Sequence, residues 1–336
     1  TSLETVNFNA ANCTLMGRLV TLTYEYYTPF AECSSFTTLN IGENVEIIPA
    51  YAFYGCSSLT TVNIPASVTS ISDKAFENCN GLTSITTNCD AIGDAKLYFT
   101  VDDIRYKVLD KNSVSIVNYK SYTGDLVISE TVTAGNTFTV TNIPERLFEN
   151  YTGLTSVVVP NTVTSIGKCA FYGCSNLTKI SLPFVGDKPC TAEDTKQNVF
   201  GYIFGYTTMN WIQLDPFTGS TRIQSKYIGD EVNGYYFYIP SGLREVVITG
   251  CSYIPPYAFN NCSMLTSITI PESVTSVGKK AFCYTNSDII FEGATPPSFG
   301  GYVFENSSSY STYPIYVPTE EAVVEYKAAE NMQSDY

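Results

Sequence analysis

Seven phenylalanines constrain this chain more than any other feature. Phe30, Phe53, Phe76, Phe148, Phe171, Phe259 and Phe282 stand so that the intervals 30 to 53, 53 to 76, 148 to 171 and 259 to 282 are all 23 residues. A fixed short period marks a solenoid, because one coil cannot bury its own apolar face and must share a core with the next. The phrase around each landmark is fullest at Ala52-Phe53-Tyr54-Gly55-Cys56-Ser57-Ser58-Leu59-Thr60-Thr61-Val62-Asn63-Ile64-Pro65, continued by Ser67-Val68-Thr69-Ser70-Ile71.

Within a coil, Val62 and Ile64 alternate with the period of two that sends side chains to opposite faces of a strand. Equivalent strands are expected after Leu82, Leu154, Leu177 and Leu265, with apolar residues spaced by three and, except after Leu82, then two. Proline closes the strand at Pro65, Pro160, Pro183 and Pro271, where it has no N–H for a ladder and fixes the chain for a turn. The return leg runs from Val68 to Ile71, Val163 to Ile166 or Val274 to Val277.

On these residues the chain resembles the BspA-like leucine-rich repeat surface protein family, through the recurring Ala-Phe-x-x-Cys-x-x-Leu-Thr-x-Ile-x-Ile-Pro-x-x-Val-Thr-x-Ile. The family also carries a Pro-Phe-x-Gly start and a Phe-Gly-Tyr-Ile-Phe-Gly segment, and both are present, at Pro183-Phe184-Val185-Gly186 and from Phe200 to Gly205. The resemblance implies a leucine-rich repeat solenoid, a β-rich right-handed superhelix. It also implies display at the cell surface or secretion, in a bacterial setting, and adhesion or recognition with no catalytic residue to carry over.

The whole of 1–336 is expected to be a single solenoid, since stacked repeats contact only their neighbours and escape the size limit of a globular core. Regular coils should occupy 1–96, with an enlarged turn at 9–28, and 147–183. Residues 97–146 lose the landmarks yet alternate like strands, and read as degenerate coils. An irregular aromatic-rich segment covers 184–242, with regular coils and a terminal repeat in 243–318. The last 319–336 should form a capping helix from 320 to 329 and a tail, with Thr319 as N-cap and acidic residues in the first turn.

Net charge is −14, from 18 basic and 32 acidic residues, which opposes nucleic acid and anionic membranes by repulsion. No run of eighteen apolar residues offers a membrane span. The chain opens in mid-motif at Leu3-Glu4-Thr5-Val6-Asn7-Phe8, as one whose export signal has been removed would. Of the 11 cysteines, Cys33, Cys56, Cys79, Cys174 and Cys262 each follow a landmark by three residues and should point inward as free thiols. Cys13, Cys89, Cys169, Cys190, Cys251 and Cys283 lie off this ladder.

The chain contains no histidine, which removes Ser-His-Asp, Cys-His and most zinc hydrolase arrangements. There is no Cys-x-x-Cys pair for structural zinc and no Gly-Gly-x-Gly-x-Asp calcium repeat. No cofactor or metal is therefore expected. The remaining chemistry is the paired-carboxylate kind, with candidates Asp102-Asp103, Glu193-Asp194, Asp230-Glu231 and Glu320-Glu321, each equally readable as a solvated turn.

Binding is the better expectation. Positions flanking the strand core should form hydroxyl-rich columns on the concave side: Thr38 and Asn40, Thr61 and Asn63, Ser84 and Thr86, Ser156 and Val158, Lys179 and Ser181, Glu245 and Val247, Ser267 and Thr269. Tyr206 and Trp211 are the aromatic candidates, with core packing as the competing account. The reading is thus a non-catalytic surface or secreted protein that binds a protein or a glycan on a host or microbial surface. Its alternatives are a passive spacer displaying another domain and, further off, a carboxylate-dependent glycan-cleaving enzyme.

Overall fold

The computed structural model describes residues 3–10, 13, 16, 18–20, 25–27, 29–30, 33, 35–90, 92, 94–189, 196–208, 220–226, 235–305 and 314–329. Their contacts group into two compact units where the repeat predicts one domain: 1–120 with 129–142, and 121–128 with 143–336.

The first unit stacks four parallel strands, Thr5–Phe8, Thr38–Ile41, Thr61–Ile64 and Ser84–Thr87, in sequence order and in register. Leu39, Val62 and Ile85 point inward and are fully buried. The second unit holds a seven-stranded parallel sheet in the order Gly124–Val127, Leu154–Val158, Lys179–Leu182, Glu245–Ile248, Ser267–Ile270, Asp288–Phe291 and Ile315–Tyr316. Short strands on the return leg pair likewise, such as Ile47–Ile48 with Ser70–Ile71.

The landmark rings stack between coils: Phe53 on Phe76 at 5.5 Å, Phe148 on Phe171 at 5.1 Å and Phe259 on Phe282 at 5.7 Å between centroids. The backbone explains why this turn recurs. Phe53 lies between two left-handed residues, Tyr51 at φ 57° and Gly55 at φ 75°, and Arg146 with Asn150 and Tyr257 with Asn261 repeat the pattern around Phe148 and Phe259. Such residues turn alternate amides up the stack. The Tyr51, Phe53 and Gly55 N–H groups donate to Asp73, Ala75 and Glu77 carbonyls one coil on, while Ala52 and Tyr54 close local turns onto Pro49 and Tyr51. Each left-handed side chain costs about 1–2 kcal/mol. Glycine and asparagine reduce that cost downstream of the landmark, and the inter-coil hydrogen bonds offset the rest.

The ladder cysteines have a polar task inside the core. The Cys79 thiol donates to the Phe53 carbonyl at 3.1 Å, and Cys174 does the same to Phe148 at 3.2 Å. Cys56, Cys79, Cys174 and Cys262 are buried free thiols, and Cys33 is half-buried. Burial pushes the Cys174 thiol up to about 12 and holds that of Cys262 well above its ordinary value.

Three segments depart from simple coils. Within the enlarged turn, Arg18–Val20 and Glu25–Tyr27 form an antiparallel hairpin. Residues 97–143 form hairpins in place of degenerate coils. Tyr98–Val101, Ile104–Val108 and Ser113–Asn118 run as an antiparallel meander, and Thr131–Ala134 pairs antiparallel with Asn136–Ile143. The reason is local: Asp102 and Asp103 both adopt positive φ, 52° and 65°, the geometry of a two-residue hairpin turn whose twist matches the strands. Gly124–Val127 instead joins the second unit's sheet.

The aromatic-rich segment is one coil with an insert. Cys169 and Phe171 donate to Tyr202 and Ile203, and Phe200 donates to Ala258. The turn Phe200–Ile203 therefore occupies a landmark position, with Phe204 at 6.4 Å from Phe171 and Phe200 at 5.1 Å from Phe259. Before that coil's strand at Glu245–Ile248, a three-stranded antiparallel sheet intervenes, ordered Tyr206–Thr208, Tyr235–Pro240, Ser220–Lys226.

The expected helix spans Glu320–Ala328, and the Thr319 side chain accepts the Ala322 N–H at 3.1 Å. Tyr326 is buried against Phe291 at 5.2 Å and donates its hydroxyl to the Gly293 carbonyl at 3.0 Å. The helix thus closes the end of the second unit's core. One more landmark lies beneath it: Phe304 stacks on Phe282 at 5.7 Å.

Candidate functional site

A parallel in-register sheet places every second side chain of each strand in a column with its equivalents, about 4.8 Å apart. In the first unit the columns are Thr5, Thr38, Thr61, Ser84 and Asn7, Asn40, Asn63, Thr86. The six predicted residues are brought together, joined by Thr5 and Asn7. The amides bond to one another: Asn40 donates to Asn7 at 3.0 Å and Asn63 to Asn40 at 2.6 Å. A ladder of amides bonded to one another is a stabilising feature of the sheet surface, with Asn7 and Thr86 at the exposed ends of the row.

In the second unit one column reads Asp125, Ser156, Lys179, Glu245, Ser267, Asp288. The Lys179 ammonium lies 2.9 Å from the Glu245 carboxylate with both side chains half exposed. Asp125 accepts the Ser156 hydroxyl at 2.7 Å and the Thr155 hydroxyl at 2.8 Å. These two hydrogen bonds hold its carboxyl below the ordinary carboxylate range.

The adjacent column reads Val127, Val158, Ser181, Val247, Thr269, Ile290, Tyr316. Val127 is 66% exposed, Val158 38% and Tyr316 51%, whereas Ser181 is only 9% exposed and offers little surface. Five of these seven side chains carry a large apolar body. Asp125, Val127, Asp288, Ile290 and Tyr316 were not among the sequence candidates. Their strands lack the full motif, and only the alternation around Leu126 and Ile289 could have marked them.

Tyr206 opens the insert. Its ring packs beside Tyr202 at 6.1 Å, Tyr235 at 5.5 Å and Phe237 at 5.5 Å, with the Lys168 ammonium 4.6 Å from its centroid. It is half-buried, so packing accounts for most of it. Trp211 lies outside the described residues.

Both described carboxylate pairs are solvent-exposed. Asp102 and Asp103 form an exposed hairpin turn, while the neighbouring Arg105 guanidinium turns away to donate to Asn80 at 2.9 Å and lie 4.8 Å from the Tyr98 ring. Glu320 and Glu321 are exposed in the first turn of the helix. Glu193-Asp194 and Asp230-Glu231 lie outside the described residues, as does Cys190. Among the described residues no group of three or more His, Cys, Asp or Glu is placed to hold a metal ion. No helix among them is long and apolar enough to cross a membrane.

A model of the BspA type leucine rich repeat region matches residues 25–122, 141–210 and 207–311 in six copies. No curated protein matches the chain. Among solved structures the chain is similar to a leucine rich cell surface protein from Faecalibacterium prausnitzii, at 20% identity over 88% of this chain and 64% of that one, with TM-score 0.32. It is also similar to the pneumococcal vaccine antigen PcpA, at 12% identity over 87% and 65%, TM-score 0.34. A leucine-rich repeat protein from Eubacterium ventriosum matches at 16% identity over 85% and 80%, TM-score 0.32. The chain therefore spans 64% and 65% of the length of the first two.

Proposed function

The chain belongs to the BspA-type leucine-rich repeat family, and we propose that it is a non-catalytic recognition protein that holds a partner on the outward strand face of its coils. The observation that carries this reading is the second unit's partly apolar column, in which Val127 is 66%, Val158 38% and Tyr316 51% accessible. Valine in that setting adds nothing to the core, and exposed apolar rows rimmed by polar groups mark interaction surfaces. The described carboxylate candidates are solvated, one pair in a hairpin turn and one in the first turn of a helix, which supports binding over bond cleavage. Display at the cell surface or release from the cell follows from what the family implies.

The test is binding by the purified, folded protein to immobilised matrix proteins, mucin, and host and bacterial cells. Saturable binding to at least one of these is expected. Failure on all of them, with the melting transition intact, refutes recognition and leaves a passive spacer. A panel of polysaccharides incubated with the same protein should show no new reducing ends, and turnover abolished by changing a carboxylate pair would replace recognition with catalysis.

A further inference from the structure

The two units treat the same coil position in opposite ways. In the first unit the second column is Asn7, Asn40 and Asn63, tied into a hydrogen-bonded ladder. In the second it is Val127, Val158, Val247, Ile290 and Tyr316, interrupted by Ser181 and Thr269. Because the first unit forms its sheet with amides there, the fold does not require aliphatic side chains at this position. Their presence in one unit asks for a partner.

The row has a length and a charge. Seven rungs at about 4.8 Å make a strip roughly 29 Å long. Beside it runs the column with Asp125, Glu245 and Asp288 against the single cation Lys179, which is already paired with Glu245 at 2.9 Å. The strip is thus apolar along one side and net negative along the other, on a chain of net charge −14.

The rung spacing selects the shape of what lies on it. An extended strand repeats a side chain on one face about every 6.7 Å and falls out of step with the rungs. A helix repeats every turn, about 5.4 Å, and so slips against the rungs by only about 0.6 Å per turn, where the strand slips by about 1.9 Å per repeat. Resting on the recognition reading above, we propose that this strip docks an amphipathic, cationic α-helix of a protein partner. Its apolar ridge lies along Val127, Val158, Val247, Ile290 and Tyr316, and its lysines or arginines face Asp125 and Asp288. A glycan fits less well: of the seven side chains in the row only Tyr316 presents a ring for a sugar to stack on, and four are aliphatic.

The test uses the full chain and three labelled 18-residue peptides read by fluorescence anisotropy: a helical Leu/Lys amphipath, a scrambled sequence of identical composition that has no apolar face, and a Leu/Glu counterpart of the amphipath. The Leu/Lys amphipath should bind at least tenfold more tightly than either control. Val127→Asp with Val158→Asp should weaken it at least tenfold. Asp125→Asn with Asp288→Asn should weaken it severalfold and flatten its salt dependence, since screened charge pairs are lost. Thr86→Asp, at the second-column position of the first unit and outside its amide ladder, should not weaken binding of the amphipath. Equal binding of the three peptides, no binding of the amphipath, or indifference to both strip variants overturns the proposal, urea melts verifying that each variant is folded. If the protein binds matrix proteins, mucin or cells and the strip variants leave that binding intact, this inference falls and the recognition reading stands. If nothing binds at all, both fall.

Discussion

A cysteine in a stacked core does two jobs that no other small residue combines. It packs as a small buried hydrophobe and still gives a hydrogen to a carbonyl of the preceding coil, as Cys79 does to Phe53 and Cys174 to Phe148. Such a site fits the neutral thiol only, so it makes stability depend on pH. The Cys174 thiol is raised from an ordinary value of 9.0 to about 12. Its contribution is therefore whole below pH 9 and is lost as the pH climbs toward 12, because the unfolded chain sheds the proton first. A shift of this size corresponds to about 4 kcal/mol at most. Urea midpoints measured from pH 8 to 11 should fall steadily above 9, and the slope should be shallower in Cys174→Ala, which has no proton to lose. An identical slope in that variant would show that other groups set the alkaline limit.

At the scale of elements, the caps carry testable weight. The Thr319 hydroxyl satisfies the Ala322 N–H at the start of Glu320–Ala328, and that helix carries Tyr326 onto Phe291 and Phe299. Thr319→Ala should cost about 1 kcal/mol and be seen as faster proteolysis near the C-terminus before any change in the global transition. Thr319→Ser should restore it. The helix and its cap were legible in the sequence because capping chemistry is local. So were the regular strands, since Leu59, Val62 and Ile64 state their period within a few residues. Phe304 was not, because its interval from Phe282 is 22 and Val303 replaces the usual alanine. The coil of Phe200 and Phe204 was hidden by the 206–240 insert, which separates a landmark turn from its own strand. The meander of 98–118 was missed because alternation specifies a strand without specifying its partner, and that choice fell to Asp102 and Asp103. In the candidate site, the columns of the regular coils were readable, whereas Asp125, Val127 and Tyr316 were not, since their membership depends on pairing across sequence gaps.

For the molecule as a whole, stability in a stack is a sum of each coil and its contacts with neighbours, and the landmark turns at Phe53, Phe76, Phe148, Phe171, Phe200, Phe259 and Phe282 are tied by amides donating to the following coil. The surface that meets a partner depends on those ties, because they hold the strands in register and so hold Val127, Val158 and Tyr316 in one row. Amide hydrogen exchange measured by mass spectrometry tests this most directly. Peptides covering the landmark turns at Phe53, Phe171, Phe259 and Phe282 should be as slow to exchange as the strands Thr61–Ile64, Lys179–Leu182 and Ser267–Ile270. Landmark turns that exchange within seconds like free loops, while the strands alone stay protected, would contradict the account.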